Sequence, residues 1–208
     1  MIHPHQAWTC RAGQKPRRVA RSGERINNSV LGQDAMKRPA TGFLHDTWQT
    51  RQKDEWLTPP DLIRSLGPFD LDPCAPVRRP WDTARHHYTV RDDGLKRPWF
   101  GRVWMNPPYG RETPRWLKKL SDHRNGVALV FARTETRMFF DWVWGDADAV
   151  LFLRRRIAFF HVDGKVAGHA GAPSCLIAYG QNNVSALHQC HLDGALVTQH
   201  SMVSGFMG

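Results

Sequence analysis

The sequence predicts an α/β domain with a mostly parallel sheet. Two continuous apolar stretches, residues 127–131 and 149–153, have the pattern of strands buried on both faces, which is typical of parallel sheets. An aromatic-rich segment at residues 138–144 lies between them and is predicted to be helical. An amphipathic segment at residues 113–120 precedes them and begins at a Thr-Pro pair that suits a helix start. Strands alternating with helices favour a parallel sheet.

Shorter segments complete the predicted domain. Thr58 is a candidate N-cap, and the two prolines after it suit the first turn of a helix over residues 61–66. The other candidate strands are residues 69–72, 86–90, 102–105, 157–161 and 175–179. The last two are expected to pair across a glycine-rich turn around Gly164 and Gly168. Only 27 residues lie between Ala75 and Val103, which is too short for two complete βαβ units, so a trimmed sheet is expected.

Composition indicates a globular protein with 41% hydrophobic and 23% charged residues in a chain of 208. No apolar stretch reaches the roughly 18–20 residues that cross a bilayer, and the N-terminus lacks the layout of a signal peptide. We therefore expect a cytoplasmic protein that does not enter membranes. The scattered cysteines indicate neither a disulfide framework nor a zinc site, and residues 188–191 are interpreted as a polar loop rather than a metal site.

The net charge of +10 points to a polyanionic partner such as DNA. Residues 1–53 hold ten Lys/Arg and three Asp/Glu, a balance of +7, whereas residues 54–208 hold nineteen and sixteen, a balance of +3. We interpret residues 1–50 as a basic, flexible arm, residues 51–185 as the catalytic domain and residues 186–208 as a C-terminal tail. The arm either contacts DNA or is an incidental extension.

The most informative motif is Asn106-Pro107-Pro108-Tyr109, which follows a short apolar run. Asn106 Oδ1 and the Pro107 carbonyl can accept both hydrogens of an exocyclic amine such as that of adenine. This would draw the nitrogen lone pair out of the ring and favour methyl transfer. Tyr109 can stack on the base, with Pro108 fixing the loop. The alternative is an ordinary proline turn after a strand.

A methyl donor would need a neighbouring site, and the loop after residues 69–72 is a candidate for it. The proposed donor-site residues are Trp56, Thr58, Pro59, Asp72, Pro73, Ala75 and Asp93. Asp72 can accept hydrogen bonds from hydroxyl or amino groups, and Asp93 can contact an adenine ring. Both proline-rich loops follow strands, so they can share one edge of the sheet. Ordinary turns, and a core position for Trp56, are the alternatives.

These motifs occur in an order that resembles the phage-type, Dam-like DNA N6-adenine methyltransferases of phages and prophages. The resemblance covers about residues 52–180 and rests on four segments, residues 54–60, 69–75, 93–99 and 103–110, with further likeness at 156–160 and 172–176. It implies a Rossmann-like fold, S-adenosyl-L-methionine as methyl donor, and a flipped adenine in double-stranded DNA as acceptor. It also implies a catalytic role for residues 106–109, a donor-site role for Asp72, and a bacterial or phage-infected cell as the setting.

Two departures from the family pattern affect the site. The glycine-rich loop common in such folds is replaced by residues 73–76, and no separate target-recognition domain is evident. Sequence specificity would then come from residues 77–100, residues 154–174 or the basic arm. The alternatives are a methyltransferase acting on an RNA base or a protein glutamine, and a non-catalytic DNA-binding relic of the fold.

Overall fold

The computed structural model describes residues 56–199, which form a mixed sheet with helices packed on both faces. The helices are α1 (Pro60–Leu66), α2 (Thr113–His123), α3 (Arg137–Phe139, continued by a π-helical turn, Phe140–Trp144) and α4 (Gln181–Gln189). The strands are β1 (Leu71–Asp72), β2 (His86–His87), β3 (Val103–Met105), β4 (Gly126–Phe131), β5 (Ala149–Leu153), β6 (Ala158–Phe160), β7 (Val166–His169), β8 (Ser174–Tyr179) and β9 (Gly194–Thr198).

The main sheet has seven strands in the order β2-β1-β3-β4-β8-β5-β9. The first four strands are parallel, whereas β8 is antiparallel to both β4 and β5, and β9 is antiparallel to β5. The expectation of a mostly parallel sheet is therefore wrong. After β5 the chain passes through the β6–β7 hairpin instead of a helical crossover, so it re-enters the sheet in the opposite direction.

Two hydrophobic layers sandwich the sheet. Val127 and Leu129 of β4 face the layer that contains α1 and α4, while Ala128 and Val130 face the layer that contains α2 and α3. This alternation is the two-residue period of a strand buried on both faces. The apolar run that predicted a buried strand at residues 127–131 is thus explained.

Two local predictions are wrong. Residues 157–161 and 175–179 do not pair: β6 pairs with β7, and β8, buried along its whole length, lies between β4 and β5. Thr58 is not the N-cap of α1, since Pro59 holds that position without a side-chain cap. The Thr58 hydroxyl instead lies 3.4 Å from Nδ2 of Asn106.

The end of the described region also departs from expectation. Residues 188 and 189 complete α4 instead of forming a loop, and the thiol of Cys190 donates to the Leu187 carbonyl. Strand β9 joins the main sheet, although it lies in the stretch interpreted as a tail. The predicted arm, residues 1–50, lies outside the described residues. None of the helices between residues 56 and 199 has the length and apolar character that crossing a membrane requires.

Candidate active site

The loop of residues 106–109 follows β3 and is held by the start of α2. The Thr113 hydroxyl donates to the Pro108 carbonyl at 2.9 Å and accepts from the Gly110 N–H at 3.0 Å. The Tyr109 ring stacks on Phe131, the last residue of β4, with centroids 4.2 Å apart and planes 21° apart. The loop is therefore fixed at both ends and against the neighbouring strand.

The Asn106 amide has one satisfied end and one open end. Its Nδ2 donates to the Trp56 carbonyl at 3.0 Å and lies 3.4 Å from Thr58 Oγ1. Its Oδ1 is buried and has no hydrogen-bond partner among residues 56–199. A buried acceptor without a partner is costly in a folded protein, so it points to a ligand donor at this position.

Two further groups of the loop are open to a ligand. Within the described part of the chain, no residue donates to the Pro107 carbonyl. The Tyr109 hydroxyl is buried without a partner there, and burial raises the pKa of the phenol well above its ordinary value. Tyr109 thus stays neutral at ordinary pH, and its ring lines the cavity described next.

A cavity of about 450 Å³ lies beside this loop and is lined by both proline-rich loops. All of the predicted site residues line it except Pro59, whose carbonyl accepts from Leu62 and Ile63 at the start of α1. The two loops meet because β1 and β3 are adjacent and parallel, which places their carboxyl ends at one edge of the sheet.

Asp72 is the buried charge of this cavity, with 3% of its surface exposed. Thr83 Oγ1 donates to one carboxylate oxygen at 2.5 Å, and the Cys74 N–H donates to the other at 3.1 Å. Burial raises the pKa of Asp72 to about 6, although both hydrogen bonds favour the ionised form. Its carboxylate can therefore change protonation near neutral pH.

Asp93 lines the same cavity but is exposed and pairs with Lys96 at 2.9 Å. The hydrogen bond from Lys96 lowers the pKa of Asp93. Gly94, the next residue, packs so closely on the loop after β1 that a Cβ would lie 1.9 Å from the Pro73 carbonyl oxygen. Glycine is thus needed where these two segments meet.

Among the residues that sequence reasoning missed are Cys74, which lines the cavity, and Lys119, which holds the segment of Gly94 beside it. The thiol of Cys74 donates to the Asn106 carbonyl at 3.3 Å and so links the two loops. Lys119 of α2 donates to the carbonyls of Gly94, Leu95 and Arg97. Contacts to backbone carbonyls leave no residue-type pattern, so only the position of Cys74 beside Asp72 hinted at a role.

Fold and cavity define an α/β protein with a ligand-sized site at the carboxyl edge of its parallel strands. Residues 45–186, well over half of the chain, match the family described as DNA N-6-adenine-methyltransferase (Dam). The protein belongs to this family, and the resemblance to the phage-type, Dam-like enzymes is confirmed.

One curated relative extends this finding. The DNA N-6-adenine-methyltransferase of Haemophilus phage HP1 (strain HP1c1) is 26% identical to this chain over 138 residues. The match covers 61% of this chain and 79% of the phage protein. No solved structure gives a significant match.

Proposed function

We propose that the protein transfers a methyl group from S-adenosyl-L-methionine to the N6 amine of an adenine flipped out of double-stranded DNA. The observation that carries this proposal is the Asn106 amide, whose Nδ2 is tied to Trp56 while Oδ1 is left as a buried acceptor. Membership in the Dam family supports the choice of adenine in DNA. The domain is then a variant of the Rossmann-like methyltransferase fold.

The cavity residues fit such a donor. A volume of about 450 Å³ lies within the roughly 300–1,000 Å³ of typical ligand sites. Asp72 would accept from donor hydroxyl or ammonium groups, with Pro73, Ala75 and Asp93 beside it. The donor, when bound, supplies a methyl group carried on a positively charged sulfur. Trp56 and Thr58 would line the side of the donor nearest to Asn106.

The residues of the loop act on the amine. Asn106 Oδ1 and the Pro107 carbonyl accept its two N–H groups, which favours a pyramidal nitrogen with its lone pair outside the ring. Tyr109 stacks on the base and offsets part of the few kcal/mol that flipping costs. The methylated nitrogen carries a positive charge and loses a proton to water, so no strong base is needed.

The test compares two asparagine variants in methyl transfer from labelled donor to unmethylated duplex DNA. Asn106→Ala should lower the rate by about 100-fold or more while the donor dissociation constant changes by less than about twofold. Asn182→Ala, the same change at an exposed position of α4, should leave the rate unchanged. Normal DNA methylation by Asn106→Ala would refute the role of Asn106. Label found only in protein or RNA would refute the proposal that DNA is the substrate.

A further inference from the structure

We propose that Arg111, Arg133 and Arg155 form a phosphate-binding surface that holds the DNA backbone next to the target base. This inference rests on the proposed function, since it names the part of the domain that contacts the substrate. It concerns the distribution of charge within residues 54–208, whose net charge is only +3.

Each of the three arginines follows a different strand at the same edge of the sheet. Arg111 comes two residues after Tyr109 in the loop that follows β3, Arg133 two residues after the end of β4, and Arg155 two residues after the end of β5. Strands β3 and β4 are parallel, and β4 and β5 are both antiparallel to β8, so all three strands point the same way. The arginines thus lie on the edge that carries Asn106.

The ring stack of Tyr109 on Phe131 places two of the arginines close to the target base. The ring centroids are 4.2 Å apart, and Arg111 and Arg133 each follow one member of the pair by two residues. A base stacked on Tyr109 would therefore have these arginines near the phosphates of its own nucleotide and of its neighbours.

The three side chains are available for a partner. All are exposed, and none makes a hydrogen bond or ion pair within residues 56–199. Two nearby carboxylates form ion pairs with other residues, Glu112 with Arg115 and Asp193 with Arg154. A third, Glu135, is exposed. Guanidinium groups suit phosphate because their planar N–H groups match its oxygens.

Arginines at the opposite edge of the sheet instead form ion pairs within the domain. Arg85, which precedes β2, pairs with Asp70 at 3.3 Å, and Arg124, which precedes β4, binds both carboxylate oxygens of Asp148 at 2.9 Å. The positive charges of residues 54–208 are therefore unevenly distributed, although their net charge is only +3. Unpaired positive charge is concentrated where the proposed substrate would arrive.

The test measures binding of the full-length protein to a fluorescent, unmethylated duplex of roughly 30 base pairs over a range of salt concentrations. Each phosphate contact contributes about 0.9 to the slope of log affinity against log salt, so Arg111→Ala/Arg133→Ala/Arg155→Ala should reduce the slope by about 2.7. Arg85→Ala, at the opposite edge, should keep the wild-type slope. Thermal unfolding of each variant verifies that it is folded.

A folded triple variant with the wild-type slope would overturn the phosphate-binding surface, even if the protein methylates DNA normally. A reduced slope in the triple variant, together with a wild-type protein that methylates no DNA, would support the phosphate-binding surface and refute the proposed reaction. The two proposals therefore fail separately.

Discussion

The side chain of Asn106 donates a hydrogen bond to the backbone carbonyl of Trp56 at 3.0 Å. This contact determines which end of the amide is left without a partner. If the amide were flipped by 180°, Oδ1 would face the Trp56 carbonyl oxygen, and two acceptors cannot form a hydrogen bond. The segment containing Trp56 and Thr58 also lines the cavity. One segment therefore both borders the proposed donor site and orients the proposed acceptor of the target amine.

Thr58 is expected to affect catalysis through Asn106. Replacing it in Thr58→Val removes the Oγ1 that lies 3.4 Å from Asn106 Nδ2 and should lower kcat roughly fivefold, which corresponds to about 1 kcal/mol. Thr58→Ser, which keeps the hydroxyl, should restore the rate. Steady-state kinetics check this expectation. A raised donor KM with unchanged kcat would instead assign Thr58 to donor binding alone.

Cys74 is expected to couple the two loops through its thiol. Burial raises the pKa of this thiol, and neighbouring Asp72 raises it further, so the group remains a protonated donor to the Asn106 carbonyl. Cys74→Ala should slow methyl transfer by about two- to fivefold, since the lost bond is weak. Cys74→Ser should retain most of the rate. Equal rates for wild type and Cys74→Ala would show that the contact is incidental.

Asp72 is expected to make donor binding depend on pH. Burial raises the pKa of its carboxyl group to about 6, so the group is mostly protonated below that pH and mostly ionised above it. Ionised Asp72 accepts hydrogen bonds better, so donor affinity should rise from about pH 5 to about pH 7 and then level off. Calorimetric titration with S-adenosyl-L-methionine measures this profile.

The matched variants for that profile are Asp72→Asn and Asp61→Asn. The first should flatten the rise, because its amide does not titrate in this range. The second changes an exposed carboxylate of α1 and should keep the wild-type profile. The same pH dependence in Asp72→Asn as in wild type would assign the titration to another group.

Lys119 is expected to stabilise the segment that carries Asp93 and Gly94. Its Nζ donates to the carbonyls of Gly94, Leu95 and Arg97 at 3.1, 2.7 and 2.6 Å. Lys119→Ala should lower the free energy of unfolding by about 1–3 kcal/mol, because charged donors make strong hydrogen bonds. Denaturant titration measures the change.

Lys118→Ala is the control, since Lys118 is the preceding residue and its contacts are an exposed ion pair with Asp122 and a cation–π contact with Trp142. It should change stability by less than about 1 kcal/mol. An equal loss of unfolding free energy in the two variants would show that the carbonyl contacts of Lys119 do not stabilise the protein more than the exposed contacts of Lys118 do.

Sequence reasoning succeeded where local pattern determines position. The loops beginning at Asp72 and Asn106 were expected at one edge of the sheet because each follows a strand, and they line one cavity. The direction of β8 could not be predicted in this way. Six consecutive buried residues fit a parallel and an antiparallel neighbour equally well, and only the hairpin route from β5 decides between them.

The contacts around Asn106 were beyond prediction for a different reason. Its partners lie far away in sequence, 50 residues for Trp56 and 32 for Cys74. One is a backbone carbonyl, which every residue possesses, and the other is a thiol without a motif. Thr58 was expected to cap α1, a role its residue type favours, but its hydroxyl lies beside Asn106 instead.

The most direct test of the central claim is to identify the methylated product. Unmethylated duplex DNA, incubated with the protein and S-adenosyl-L-methionine, is digested to nucleosides and analysed by mass spectrometry. The proposed function predicts N6-methyladenine in the DNA with wild-type protein and Asn182→Ala, and at least about 100-fold less per unit time with Asn106→Ala. DNA without N6-methyladenine, in a reaction where the donor is consumed and RNA or protein is methylated, would contradict it.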